Sequence, residues 1–282
     1  MPKTKIVQFS DLHLSPRIPK TVTNWEYCLA KVDREKPELV VLSGDFVLDD
    51  PDQLDNQTFA RKQIERLSAP WLLVPGNHDI GDSVEDPYQG QAITDARRDR
   101  FVALHGGDWW RKDVGGWSII GINSMLPGSG LAAEAQQLSW LKQQVQSNER
   151  PIILFLHKPL CVDDLSEPAN PAWAVPPFGR NSILDALAGA KLRIVASGHL
   201  HCHRHLSASE FDMVWAPTIS IVSQTKVSGV SKTAGWIEYI VDGEHVTWQH
   251  KVAPELQAID LTGLLGRYGA LRFAPADALM TT

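Results

Sequence analysis

Short apolar runs recur along most of the chain, and between them lie stretches where apolar residues return every third or fourth position. Ile6-Val7-Gln8-Phe9 reads as a strand. Residues 24–36 then place Trp25, Cys28, Leu29 and Val32 at helical spacing, and Pro37 stops that helix. Leu39-Val40-Val41-Leu42 is a second strand ending at Gly44, and a helix around 56–68 leads to a third at residues 71–74. Residues 117–122 predict a fourth strand, and Leu138, Leu141 and Val145 mark the helix after it. Residues 152–156 and 192–196 are the fifth and sixth strands. Strands apolar on both faces, alternating with helices, predict an α/β fold whose sheet is covered on both sides.

The pattern changes after His199. Residues 213–250 read as consecutive short strands, with a turn at Val241-Asp242-Gly243 and strict alternation from His245 to His250. This predicts a second, mostly antiparallel sheet packed on the first. Residues 253–282 carry weak signals and are read as a tail that packs on the core, forms an interface or is partly disordered. Residues 80–95 and 160–180 are poor in strand pattern and contain Pro and Gly, which suits loops framing a substrate.

The chemistry sits where the apolar runs end. Asp11-Leu12-His13 follows the first strand, Gly44-Asp45 the second and Gly76-Asn77-His78-Asp79 the third. His157 ends the fifth, and Gly198-His199-Leu200-His201 the sixth. Ligands of open α/β sheets bind at the carboxyl ends of the strands, so these residues are expected to converge. Imidazole and carboxylate together favour Zn, Mn, Fe, Co or Ni over an all-oxygen Ca or Mg cage. Residues i and i+2 of a strand share a face, so Asp11 with His13 and His199 with His201 are each expected to present a pair of ligands by strand alternation. The glycines before Asp45, Asn77 and His199 allow close backbone approach.

The order D-x-H, G-D, G-N-H-D, H, G-H-x-H, running from Asp11 to His201, resembles the calcineurin-like metallophosphoesterase superfamily. The resemblance implies two packed β-sheets flanked by helices, an α/β/β/α sandwich, with a catalytic domain over residues 1–252. It implies two divalent or trivalent transition-metal ions, drawn from Mn, Fe, Zn and Co. Asp11, His13 and His201 would bind one ion, Asn77, His157 and His199 the other, and Asp45 would bridge them. His78 would be catalytic rather than a ligand, meeting the substrate phosphate together with Asn77, and Asp79 would orient His78, the alternative for Asp79 being a turn cap. A hydroxide clamped between the ions would attack phosphorus in line.

Composition narrows the reading. The 33 acidic residues against 27 Lys and Arg leave a formal charge of −6, which disfavours a nucleic-acid partner. Cys28, Cys161 and Cys202 form no C-x-x-C pair, which speaks against a disulfide framework and a thiolate zinc site. No signal-peptide core and no membrane-length apolar run is visible, so a cytoplasmic protein without membrane contact is expected, with homo-oligomerisation left open. Leu48 stands where purple acid phosphatases carry tyrosine, so an iron–tyrosinate centre is not expected.

The stretch Asn123-Ser124-Met125-Leu126-Pro127-Gly128, then Leu131 and Gln137-Leu138-Ser139-Trp140-Leu141, resembles bacterial class III cyclic-nucleotide phosphodiesterases and related glycerophosphodiesterases. Where that group often has a second histidine after the metal-binding one, His157 is followed by Lys158-Pro159. Lys158 is read as attracting substrate phosphate or lying at the surface. The expected function is hydrolysis of a small-molecule phosphodiester, with a cyclic nucleotide as one candidate. A phosphomonoesterase or pyrophosphohydrolase with the same site is the alternative. A nuclease would need a basic face, and a non-catalytic scaffold should have lost ligands. His203 and His205 are read as surface or supporting residues, and His105, His245 and His250 as structural. Trp109 and Trp110 are read as core, and Trp173 as a candidate substrate contact.

Overall fold

The computed structural model describes residues 3–48, 50–83, 92–170, 172–222 and 225–259. The chain opens with β1 (Thr4–Phe9), β2 (Leu39–Leu42) and β3 (Trp71–Leu73), which lie parallel. Helices α1 (Pro19–Glu35) and α2 (Leu54–Ile64) connect them. Past the short α3 (Asn77–Ile80) and α4 (Asp95–His105), the hairpin of β4 (Trp110–Val114) and β5 (Trp117–Gly121) starts another sheet. β6 (Ile152–Phe155) and β7 (Leu192–Ser197) continue it in parallel, reached through α5 (Ala132–Val145) and α6 (Pro177–Ala186). β8 (Arg204–Ser207) and β9 (Asp212–Trp215) extend that sheet, and β10 (Gly235–Asp242) and β11 (His245–Val252) return to the first one. The strand orders are β11-β10-β1-β2-β3 and β4-β5-β6-β7-β9-β8.

The late strands therefore do not form the separate antiparallel sheet their pattern predicts. β9 pairs with β7 and β10 with β1, each covering a strand edge whose N–H and C=O groups would otherwise lack partners. The result is two mixed sheets. The alternation from His245 to His250 is that of an outer strand, β11, paired only with β10. Strand β4 escaped the sequence reading because Arg111-Lys112-Asp113 makes it polar, although Gly115 and Gly116, both at positive φ, mark its hairpin turn. Helix α1 starts earlier than its apolar spacing suggests, at Pro19, a residue suited to a first helical turn. Helices α4 and α6 were not anticipated either; Phe101 is the one buried residue along α4, so it carries little apolar periodicity.

Burial explains why the central strands are apolar throughout. Ile6, Val41, Ile119, Ile153, Ile194 and Ile237 meet between the two sheets. Their sequence neighbours turn the other way. Val7, Val40 and Leu42 pack on Trp25, Cys28, Leu29 and Val32 of α1 and on Ala60 and Ile64 of α2. Ile120, Leu154 and Val195 pack on Leu141 and Val145 of α5 and Ile183 of α6. Four layers follow, helices–sheet–sheet–helices, with no polar face on the middle strands.

One polar side chain crosses this core. Gln8 is fully buried, and its Nε2 donates to Ser43 Oγ at 2.8 Å and to the Ser197 carbonyl at 3.1 Å, while Tyr239 donates to its Oε1 at 2.8 Å. Ser43 follows β2 and Ser197 ends β7, so Gln8 ties one sheet to the other directly beneath the residues treated next. Residues 253–259 continue the fold, with Ala253 and Leu256 in the core beside α1 and Ile259 bridged to Ile221. The rest of the expected tail, 260–282, lies outside the described residues. All three cysteines are buried and unbridged. No helix among the described residues is long and apolar enough to cross a membrane.

Candidate metal centre

The carboxyl ends of β1, β2 and β3 in one sheet and of β6 and β7 in the other point to a common edge, and the sequence-predicted residues meet there. The strands stop before them. Asp11, His13, Asp45, His199 and His201 all have positive φ, from 46 to 72°. Among the described non-glycine residues only Lys36, which closes α1, shares that conformation. The expectation that Asp11 with His13 and His199 with His201 pair by strand alternation is thus corrected. Each donor sits on a left-handed turn, where Asp and His are better tolerated than most residues, at a cost of about 1–3 kcal/mol each. Leu12 and Leu200, between them, turn into the protein. The Asp11 and His13 amides donate to the Gly44 and Asp45 carbonyls, both at 3.0 Å, so the two turns run side by side.

Two groups of donors result. Asp11, His13, Asp45 and His201 form one, and Asp45, His157 and His199 the other. Asn77 joins the second group, its Oδ1 lying 3.1 Å from His157 Nε2. Each carboxylate divides its work. Asp11 Oδ2 accepts from the His199 amide at 3.1 Å, leaving Oδ1 at 3.3 Å from His201 Nε2. Asp45 Oδ1 accepts from the His78 amide at 2.9 Å. Its Oδ2 lies 3.2 Å from His157 Nε2 and 3.9 Å from His13 Nε2, between the two groups. The closeness of these turns accounts for two motif glycines. A Cβ at Gly76 would lie 2.1 Å from Asp45 Oδ1, and one at Gly44, 2.4 Å from His157 Nδ1.

All four histidines of the cluster hand their outer nitrogen to a backbone carbonyl. His13 Nδ1 meets Leu48 O at 3.1 Å, His157 Nδ1 meets Ser43 O at 2.7 Å, His199 Nε2 meets Ala172 O at 2.8 Å and His201 Nδ1 meets Ile221 O at 2.5 Å. A carbonyl can only accept, so each outer nitrogen carries a proton, and a neutral ring presents a bare lone pair inward. His13 Nε2 faces His201 Nε2 at 3.0 Å, and His157 Nε2 faces His199 Nδ1 at 3.2 Å. Lone pairs and carboxylate oxygens pointed at one another repel; a cation among them turns the same geometry attractive. The donor set therefore fits two transition-metal ions.

By themselves, the carboxylates instead favour a proton on His157 and His201. Burial raises the Asp11 carboxyl, but His201 and His157 outweigh it and hold it at about 2. Asp45 is also buried, and His157 and His78 hold it well below the usual range. Burial lowers His157, yet the Asp45 and Asp11 carboxylates raise it to about 9. Burial, with the neighbouring His201 and His78, lowers His13 to about 3. The cluster keeps its carboxylates ionised and draws positive charge inward.

His78 stands beside the centre and keeps contact with solvent, with 14% of its side chain exposed. Its Nε2 lies 3.8 Å from Asp45 Oδ2, and its ring meets that of His13 edge-on at 4.8 Å. Asp79, expected to orient His78 or to cap a turn, does cap the turns around it. Its two oxygens accept from the amides of Gly76 (2.8 Å), Asp45 (2.9 Å), Phe46 (2.9 Å) and Val47 (3.2 Å), pinning the turn that carries Asp45. Burial and the Asp45 carboxylate push it up to about 7, against the pull of those amides. Asp79→Asn would turn an NH₂ group toward two N–H donors. It should cost about 1–3 kcal/mol of stability, seen as a lower urea midpoint at unchanged m-value; an unshifted midpoint would contradict this role.

Lys158 is the clearest correction. It has no exposed surface, and its ammonium lies 2.6 Å from both oxygens of the buried Asp82, so it is neither a surface residue nor open to a phosphate. The Asn123–Gln137 resemblance also acquires a structural reading. Gln137 clamps the Asn123 backbone, accepting its N–H at 2.7 Å and donating to its carbonyl at 3.0 Å. His203 bonds the Trp215 carbonyl at 2.9 Å and packs against His250 and Trp248, and His205 pairs with Asp212, both apart from the donor groups. His105 packs on Phe101 and Phe46. Trp173 is half-buried beside Val162, Leu200 and Trp215, while its neighbour Ala172 supplies the carbonyl for His199. Of the expected substrate loops, residues 84–91 and 171 lie outside the described residues.

The chain is similar to known proteins in sequence and in fold. A family model described as calcineurin-like phosphoesterase matches residues 4–203. The chain is similar to the serine/threonine-protein phosphatase CPPED1 of Pongo abelii, with 28% identity over 196 residues, 65% of this chain and 60% of that protein. This chain thus spans less than two thirds of that relative's length. It is also similar to the 3',5'-cyclic adenosine monophosphate phosphodiesterase CpdA of Pseudomonas aeruginosa, with 29% identity over 210 residues, 70% of this chain and 69% of that protein. Among solved structures, a dimetal phosphatase from Danio rerio shares the fold with a TM-score of 0.62 at 12% identity, covering 88% of this chain and 96% of that one.

Proposed function

From the premise that this chain belongs to the calcineurin-like phosphoesterase family, we propose that it is a dinuclear metal-dependent phosphodiesterase acting on a small-molecule phosphodiester, with a cyclic nucleotide as one candidate substrate. The observation that carries the reading is Asp45 Oδ2, which belongs to both donor groups. Asp11, His13 and His201 would hold one ion, Asn77, His157 and His199 the other, and Asp45 would serve both. When bound, the two ions would acidify water and neutralise phosphate charge. Either a Mn, Fe, Zn or Co pair suits these nitrogen and oxygen donors.

The remaining work falls to the chain. Asn77 and His78 face the substrate phosphate from the loop after β3, and Asp79 keeps that loop and the Asp45 turn in register. His78 delivers a proton to the leaving oxygen. An alkoxide is a poor leaving group, so a positioned acid matters more for an alkyl diester than for an activated ester. A monoester brings nearly two negative charges and asks for more clustered cations. Lys158, the cation next to a donor in sequence, is engaged by Asp82. The likeness to CpdA supports the diester reading, and the likeness to CPPED1 supports the monoester alternative.

The deciding measurement is kcat/KM for bis(p-nitrophenyl) phosphate, p-nitrophenyl phosphate and cyclic AMP at one metal loading. The diester is expected to be favoured by at least ~10-fold, about 1.4 kcal/mol in transition-state binding. Preference for the monoester would overturn the diesterase reading. Turnover of the aryl diester without cyclic AMP hydrolysis would remove the cyclic nucleotide as a candidate.

A further inference from the structure

The Lys158–Asp82 ion pair lies beside the centre but belongs to neither donor group. Lys158 follows His157 at the end of β6, and its amide donates to Ser124 Oγ at 2.9 Å, in the loop after β5. Asp82 stands four residues beyond His78. The Gly81 amide closes α3 on the Asn77 carbonyl at 2.9 Å, and the Asp82 carbonyl accepts from the Ile93 amide at 2.7 Å. β3 and β6 lie in different sheets. The pair therefore spans the two sheets at the site, joining the segment that carries His78 to the residue next to His157.

Stability is a poor reason for such a pair. Two charges withdrawn from water gain little over apolar side chains of the same volume. What an ion pair adds is direction and a fixed distance, and here both carboxylate oxygens lie 2.6 Å from one ammonium. We propose that Lys158 and Asp82 are positioning residues that set where His78 stands relative to the His157 half of the cluster, and through it the delivery of the proton to the leaving group. This rests on the role given to His78 above. Neither residue touches substrate.

The test uses the whole 282-residue chain, metal-loaded, and the double variant Lys158→Met/Asp82→Leu, which replaces the pair with apolar side chains of similar size. Metal per chain is measured by elemental analysis, and kcat and KM over a series of diesters whose leaving groups rise in pKa. The expected result is metal content and KM near those of the parent protein, with kcat lowered ~10–100-fold, the range for groups that orient a functional side chain. The loss should grow with leaving-group pKa. Added to His78→Ala, the double substitution should cost no more than about 2-fold further, because both changes act through one group. Loss of metal, an equal loss for every leaving group, or full multiplication with His78→Ala would reduce the pair to a structural brace and overturn the proposal. If the double variant does not fold, Lys158→Arg and Asp82→Glu decide. They keep the pair but alter its length, and should show the same leaving-group dependence at full metal content; a flat profile would overturn the proposal. His78→Ala alone, run in parallel, separates the two claims. A flat profile there refutes the acid role of His78; the leaving-group criterion for the pair variants then no longer applies, full multiplication with His78→Ala overturns the positioning and non-additivity supports it.

Discussion

Asp45→Ala should leave a protein that retains neither metal ion tightly and has lost ~10³-fold or more in kcat/KM, at least the loss that follows removal of one preorganised electrostatic group. The expectation comes from position. Asp45 Oδ2 is 3.2 Å from His157 Nε2 and 3.9 Å from His13 Nε2, so one atom serves both donor groups. Its Oδ1 holds the His78 amide, so the same substitution also frees the loop after β3. Asp11→Ala, by contrast, should weaken chiefly the group of His13 and His201. A second readout follows from mass action: ions that bind only the folded state raise its stability. Chelation should lower the Tm of the parent protein and leave that of Asp45→Ala nearly unchanged. Two tightly held ions per chain in Asp45→Ala would sink the bridging assignment.

His78→Ala should behave in the opposite way, keeping both ions while kcat falls ~10²–10⁴-fold, the usual range for a positioned acid or base. The ring stands beside the centre rather than within a donor group, and it keeps contact with solvent. The loss should shrink for p-nitrophenyl leaving groups, which need little protonation, and be largest for alkyl diesters. Elemental analysis separates the outcomes, since a variant that loses metal would make His78 a ligand. Asp45→Ala and His78→Ala thus distinguish holding the ions from using them.

The sequence by itself determined where the central strands lie along the chain and which residues follow them, but not their division between the two sheets. Runs such as residues 39–42 and 152–155 are apolar at every position because one face meets the other sheet and the next meets a helix, and that double burial is written locally. Asp11, His13, Asp45, Asn77, His157, His199 and His201 were legible because each directly follows such a run, and parallel strands bring their carboxyl ends together. Tertiary structure alone decided the rest. β4 and β8–β11 joined whichever sheet edge needed partners, and edge pairing depends on backbone groups far apart in the chain. The pairs Asp11 with His13 and His199 with His201 stand on left-handed turns rather than on strand faces, a conformation selected by the neighbouring loops. The carbonyls of Ser43, Leu48, Ala172 and Ile221 aim the four histidines, and a carbonyl has no residue type to read. Lys158 was misread for a related reason. A lysine in a sequence looks solvated until a carboxylate is found to meet it, and Asp82 reaches it only because the loop after β3 folds across to the end of β6. What a side chain contributes through its own chemistry can be read along the chain; what it contributes through a partner brought from elsewhere exists only in the fold.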